Sequence, residues 1–262
     1  MLNKIDDFNK FILNYKDIFI VLTQKQIQLR YKNKYLGYIW SLLNPILYSG
    51  IYYFIFSVIM KVKIENYPAF LVCGLFPWQW IGNSIGVAPN IFAANSSLIK
   101  KLNFPRNILA QVEVAQDAFH FVLTVPVIVM ILFIYDIPIS WKLLVGVPVL
   151  VVIQSIFLYC LALIVASVNL FFRDTENLIK FFLMFSMYMT PVMYSHDMIP
   201  EKLRHLIVLN PFAPLIISWR ELFLNGVIHY EYIAYMCGYC VIFWFIAHAI
   251  YKKLSFRFAE VL

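Results

Sequence analysis

Apolar residues in this chain do not alternate with polar ones; they run. Continuous stretches near or above the ~20 residues that cross the hydrocarbon of a bilayer recur from residue 36 to residue 251, separated by short polar breaks. They predict six membrane-spanning helices, over about residues 36–60, 67–94, 107–135, 141–172, 178–194 and 230–251. Pro77 and Pro89 place kinks in the second span. The fourth run, Trp141 to Phe172, would reach roughly 45–50 Å at 1.5 Å per residue, so it must tilt, bend or project from the membrane. Residues 196–226 are cut by Asn210-Pro211 and Pro214 into pieces too short to span. Two short re-entrant or surface helices on the external side are expected there, because broken backbone at membrane depth persists only within protein or beside water. Residues 1–35 mix charge with short apolar patches, and Ile18 to Leu22 is too short to cross. A helix lying along the cytoplasmic interface is expected. Met1 to Lys16 holds no long apolar core followed by a cleavage site, so no removable signal peptide is read there. The fold class is all-α: a polytopic membrane protein with an interface helix over 1–35, a six-helix transmembrane domain over 36–253 and a cytoplasmic tail over 254–262.

Composition agrees. Hydrophobic residues make up 62% of the 262 and charged residues only 13%, against roughly 45–50% and about 25% in soluble domains. A membrane β-barrel would alternate apolar and polar residues in ~10-residue segments, and eight glycines exclude a collagen-like chain. The net charge of +7 would suggest nucleic acid in a soluble protein. Its location gives a different meaning. Fifteen of the 21 Lys and Arg residues fall in the N-terminal segment, in Lys100, Lys101 and Arg106, at Arg173 and Lys180, and in Lys252, Lys253 and Arg257. The positive-inside rule makes those segments, and both termini, cytoplasmic. No nucleic-acid partner is read.

Motifs for chemistry are absent from the sequence. There is no G-x-x-x-x-G-K-[ST] loop, no H-E-x-x-H and no G-x-S-x-G. No catalytic residue, metal ligand or cofactor site is assigned, so uphill transport would need a partner to supply the energy. Cys73, Cys160, Cys237 and Cys240 all lie in apolar surroundings and are read as small hydrophobes. Glu113, Asp117 and His120 share one face of the third span. They are read either as a proton relay or as structural groups paired with a basic interface residue; the second is favoured because no other span offers matching acids. His248 is read as a hydrogen-bonded structural histidine. Two aromatic stripes keep helical spacing: Tyr48, Tyr52 and Phe56 in the first span, and Phe181, Phe185 and Tyr188 in the fifth. Rings with a polar handle suit the path of an amphipathic solute; ordinary helix packing would give the same spacing.

The stretch Arg30-Tyr31-Lys32-Asn33-Lys34-Tyr35-Leu36-Gly37-Tyr38-Ile39-Trp40-Ser41-Leu42-Leu43-Asn44-Pro45 resembles the N-terminal signature of the membrane subunits of type-2 ABC exporters of polysaccharide. Phe104-Pro105-Arg106, Arg173-Asp174, Thr190-Pro191 and Leu209-Asn210-Pro211 with Arg220 and Gly226 agree in order and spacing. Asn44-Pro45 is most similar to the O-antigen and teichoic acid members, while capsule permeases often carry an acid before that proline. The resemblance implies a homodimeric channel in the bacterial inner membrane, with two copies of a separate ATPase subunit that binds ATP and Mg. The substrate it implies is a glycan on undecaprenyl pyrophosphate, O-antigen first, with capsule or teichoic acid as alternatives. It implies a coupling helix over residues 97–106 and gate helices over 196–226. In that setting the two stripes are expected to line the glycan path. Arg30, Lys32 and Lys34 are expected to meet anionic lipid or pyrophosphate at the inner leaflet, though topology anchoring would use them equally. Leu98, Ile99, Leu102 and Phe104 are expected to dock the ATPase as apolar anchors, with Lys100, Lys101 and Arg106 beside them. An ion-coupled carrier would need a midplane acid or an unwound site, and a membrane glycosyltransferase would need clustered acids.

The charge pattern yields a topological prediction. In a background without native cysteines, an impermeant thiol reagent applied to sealed cells should label a cysteine at Asn66 and spare one at Ser97. The opposite pattern would invert the orientation.

Overall fold

The computed structural model describes residues 2–31, 39–59, 61, 64–102 and 104–258; Lys32 and Lys34 lie outside them. Regular structure among the described residues is entirely helical. In chain order the helices are α1 (Leu2–Tyr31), α2 (Ile39–Tyr53, continued by a π-helical segment Phe54–Ile59), α3 (Tyr67–Val87), α4 (Ile91–Ala94), α5 (Ser96–Lys101), α6 (Ile108–Ile134), α7 (Leu143–Asn169), α8 (Thr175–Met189), α9 (Glu201–Arg204), α10 (Ala213–Asn225) and α11 (Tyr230–Leu254). Three segments, Ile108–Ile134, Leu143–Asn169 and Tyr230–Arg257, are long and apolar enough to cross a membrane. The chain is thus an all-α membrane protein.

The second apolar run is not one continuous helix. It breaks after Val87 into a 3-10 turn, Ala88–Asn90, that contains Pro89, and resumes as α4. Proline has no N–H to continue the ladder. The Pro89 carbonyl instead accepts from Asn169 Nδ2 at the end of α7 (2.8 Å). The fourth run is helical over 27 residues, about 40 Å at the α-helical rise. Polar residues of α7 do the joining. Gln154, with no exposed surface, donates to the Pro77 carbonyl of α3 (3.1 Å) and accepts from Trp219 Nε1 of α10 (2.7 Å).

Helix α10 lies inside the bundle, enclosed by α3, α6, α7 and α11. Its thirteen residues reach only about 20 Å, too little to cross ~30 Å of hydrocarbon. Trp219 is fully buried and packs between Phe121 (4.8 Å between ring centroids) and Phe223 (5.6 Å). Asn210 starts the helix: its Oδ1 accepts from the Phe212 N–H (3.0 Å), and its Nδ2 donates to Thr190 Oγ1 (2.9 Å). Arg220, also buried, donates to the carbonyls of Pro191 (2.8 Å) and Val192 (2.7 Å) and lies 3.8 Å over the Phe70 ring. Thr190-Pro191, Asn210-Pro211 and Arg220, far apart in sequence, thus form one hydrogen-bonded knot. The helix ends at Gly226, whose left-handed φ of 60° lets its N–H return to the Glu221 carbonyl.

The arginine needs a close neighbour without a side chain. A Cβ on Gly74 would collide with the Arg220 guanidinium and sit 3.0 Å from the Val192 oxygen, whereas one on Gly82, two turns along the same helix, would meet nothing. Gly74→Ala should therefore cost about 1–3 kcal/mol by overpacking, read as a lower unfolding temperature in detergent. Gly82→Ala should be neutral or stabilising, by about 0.5–1 kcal/mol for alanine over glycine in a helix. Equal behaviour of the two variants would remove the clamp from the account.

Candidate functional site

Two surfaces collect the residues that the sequence singles out. The first is an aromatic face on α2 and α8, helices that both pack on α3. Among the described side chains of α8 only Ser186 is buried. Phe181, Phe185 and Tyr188 stand 67%, 63% and 64% exposed. Tyr48 on α2 is exposed as well, and the Tyr52 phenol lies within electrostatic reach of both Tyr48 and Tyr188. Both stripes therefore sit on helices that flank α3. Phe56 departs from this face: the π-helical segment over Phe54–Ile59 changes the angular step per residue, since its bonds close i→i+5. Phe56 is half-buried, with its ring 6.4 Å from that of Tyr67.

The second surface lies where α1 passes α5. Leu98, Leu102 and Phe104 form one wall of an apolar groove of about 410 Å³, and Ile18, Val21 and Leu22 of α1 form the other. Asp17 stands at its rim. Leu102 is 58% exposed and Lys101 is exposed, but Ile99, expected as an anchor, turns inward and is buried in the core, so it offers no docking surface. Arg106 is engaged within the chain. Its Nη1 donates to the Ser255 carbonyl (2.9 Å), and its guanidinium lies 6.0 Å over the Phe258 ring. The segment after α5 is thereby tied to the end of α11.

Helix α1 is held on α6 at two points. Tyr15 Oη donates to Gln111 Oε1 (2.5 Å) and Arg30 Nη1 pairs with Asp117 Oδ1 (2.5 Å). Burial raises the Tyr15 phenol above its ordinary range, with the Gln111 and Asn107 hydrogen bonds opposing the shift. The two contacts are fifteen residues apart on α1 and six apart on α6, about 22 Å against about 9 Å at the α-helical rise. The helices therefore cross obliquely rather than run side by side. Asp117 is buried and accepts a second bond, from Ser84 Oγ of α3 (2.8 Å). One carboxylate so joins three helices. This matches the structural reading of Asp117, with Arg30 as its basic partner. Arg30, expected to meet lipid or pyrophosphate, is already engaged by that acid, with a third of its side chain still exposed.

Sequence reasoning missed Gln154, Asn169 and Arg220 as structural pins. A polar residue within an apolar run is the signal that could have found them.

An all-α bundle with apolar spans, an exposed ring-bearing face and no nucleotide-binding loop is an integral membrane subunit of the transport kind. The ABC-2 type transporter family matches residues 18–224, and the chain belongs to that family. It is 44% identical to an O-antigen export system permease protein RfbA of Klebsiella pneumoniae, over 97% of this chain and 98% of the relative. A second such protein from Klebsiella pneumoniae is 43% identical over 97% and 98%. One from Myxococcus xanthus is 30% identical over 81% of this chain and 82% of its own length.

The shared carboxylate predicts energetic coupling. Arg30→Gln and Asp117→Asn should each destabilise the protein in detergent-titrated unfolding. The double variant should fall short of their sum by about 0.5–3 kcal/mol, as for groups in direct contact. Additive losses would deny the pair, and an Asp117→Asn variant of unchanged stability that no longer transports would restore the proton relay.

Proposed function

We propose that this chain is the channel-forming subunit of an ATP-driven exporter that moves lipid-linked polysaccharide, of the O-antigen kind, across the bacterial inner membrane. The observation that supports the reading is the exposure of Tyr48 on α2 and of Phe181, Phe185 and Tyr188 on α8, two helices that both pack on α3, with the half-buried Tyr52 one turn beyond Tyr48. Among the described residues of a single copy, Tyr48, Phe181, Phe185 and Tyr188 stay exposed. In a homodimer, two such faces turned towards each other enclose a path whose walls offer ring faces to sugar C–H groups and phenol hydroxyls to sugar hydroxyls. Each contact is weak, on the order of 0.5–1.5 kcal/mol, so a long polymer is held everywhere and trapped nowhere.

The full reading has six spans, an interface helix α1, gate helices over 196–226 and both termini in the cytoplasm. The energy enters through two ATPase subunits carrying ATP and Mg. Their docking surface is the groove between α1 and the segment from Leu98 to Phe104, where an apolar element of the partner replaces water and Lys101 sets orientation and association rate. With Arg30 paired to Asp117, Lys32 and Lys34 bring the positive charge to the inner leaflet, where a pyrophosphate carrier arrives.

Two sets of variants separate the path from the drive. Replacing Tyr48, Phe181, Phe185 and Tyr188 together by alanine should reduce surface O-antigen by at least tenfold while the ATPase still co-purifies; single replacements should have much smaller effects. Replacing Leu102 and Phe104 by aspartate should abolish ATPase co-purification or uncouple hydrolysis from export, with insertion and dimerisation preserved. Wild-type export by the alanine variant would reduce the rings to packing, and normal co-purification with normal export in the aspartate variant would move the docking surface elsewhere.

A further inference from the structure

A second groove, of about 540 Å³, opens between α1, α6, α7 and α11, and none of its lining residues belongs to α2, α5 or α8. That volume falls within the ~300–1,000 Å³ of small-molecule sites. Its hollow exists because small side chains, Ala115 and Ala118 of α6 and Ser155 of α7, meet where larger ones would close the gap. Phe19, Ile156 and Trp244 complete an almost wholly apolar wall. The polar groups nearby satisfy one another: Tyr15 bonds Gln111 (2.5 Å) and Asn107 bonds the Tyr159 hydroxyl (3.3 Å).

The surroundings name the occupant. Ile156 and Trp244 are exposed at the groove, as are Phe119 and Val122 on the same helix as Ala118, so the hollow opens towards the hydrocarbon that bathes these helices. At its rim stands the exposed side chain of Lys16. Lysines of this kind carry an apolar stem and hold their charge at the headgroup level. We infer that the groove binds one anionic glycerophospholipid, an acyl chain lying between Ala115, Ala118 and Trp244 and the phosphate meeting Lys16. The lipid fills the wedge under α1 and so holds α1 at the angle that its crossing of α6 requires. The inference rests on the reading of α1 as an interface helix but not on what is exported.

Native mass spectrometry of the full-length chain, purified with its accompanying subunits from membranes and exchanged into equal phosphatidylglycerol and phosphatidylethanolamine, tests it. The wild type should retain one phospholipid per chain, with phosphatidylglycerol preferred roughly fivefold, the size expected for one lysine at an anionic surface. Ala118→Trp should lose the retained lipid. Lys16→Gln should keep a lipid and lose the preference. Ala115→Leu narrows the same hollow with less bulk and serves if the tryptophan variant does not fold. Lys16→Gln, at an exposed position, tests the headgroup whatever the fate of the other two. Retention unchanged in the narrowed variants, an unchanged preference in Lys16→Gln, or retention of a polyprenyl phosphate in place of phospholipid would overturn the proposal. Because retention is read without export, its failure leaves the exporter reading standing, and the reverse.

Discussion

A helix of thirteen residues buried in an apolar bundle must have its polar groups satisfied by protein, since hydrocarbon offers none. That constraint organises the molecule. Arg220 donates from Nη1 and Nη2 to the carbonyls of Pro191 and Val192 and rests on the Phe70 ring. Gln154 answers Trp219 on one side and Pro77 on the other. These bonds fix α10 and the turn after α8 as one unit, around which α3, α7 and α11 close. Helices α2 and α8 are left at the margin with their aromatic residues outward.

A second polar junction governs the other end. Asp117 accepts from Arg30 of α1 and Ser84 of α3 while belonging to α6. In the proposed exporter, a displacement of α1 by a docked ATPase reaches α6 and α3 through this carboxylate rather than through apolar contacts alone, which are less directional. Breaking a buried ion pair by removing one partner typically costs about 3–5 kcal/mol, and the partial exposure of Arg30 lowers that figure here. The Arg106 link to Ser255 adds the end of α11 to the same moving part. The docking groove is thus backed by three helices.

Helices α6, α7 and α11 were legible as apolar runs, because membrane spans declare themselves by length and hydropathy. The break at Val87 and the end of α10 at Gly226 were legible in outline, from Pro89 and from a glycine after an apolar segment. The placement of α10 was not. Two prolines show that residues 196–226 are interrupted, but a short apolar helix reads the same on a surface or inside a bundle. The common support of the two stripes was likewise invisible: periodicity puts Tyr48 and Tyr52 on one face and Phe185 and Tyr188 on another, and only tertiary packing sets both helices against α3. Phe56 was misaligned for a local reason, since a strict four-residue step assumes α geometry that the π-helical segment abandons. The partner of Asp117 could be described as basic and interfacial, but its identity as Arg30 depends on the crossing angle of α1.

The central claim is that the face carrying Tyr52 and Phe185 touches the moving polymer. The most direct measurement places a photoactivatable benzophenone amino acid at Phe185 in exporting cells, with Phe245, 71% exposed on α11, a helix that packs on α7 and α10, as the comparison. After irradiation, the chain labelled at position 185 should shift to high mass and react with antibody against the polysaccharide, while the chain labelled at 245 should not. Polysaccharide cross-linked at 245 and absent at 185 would contradict the account.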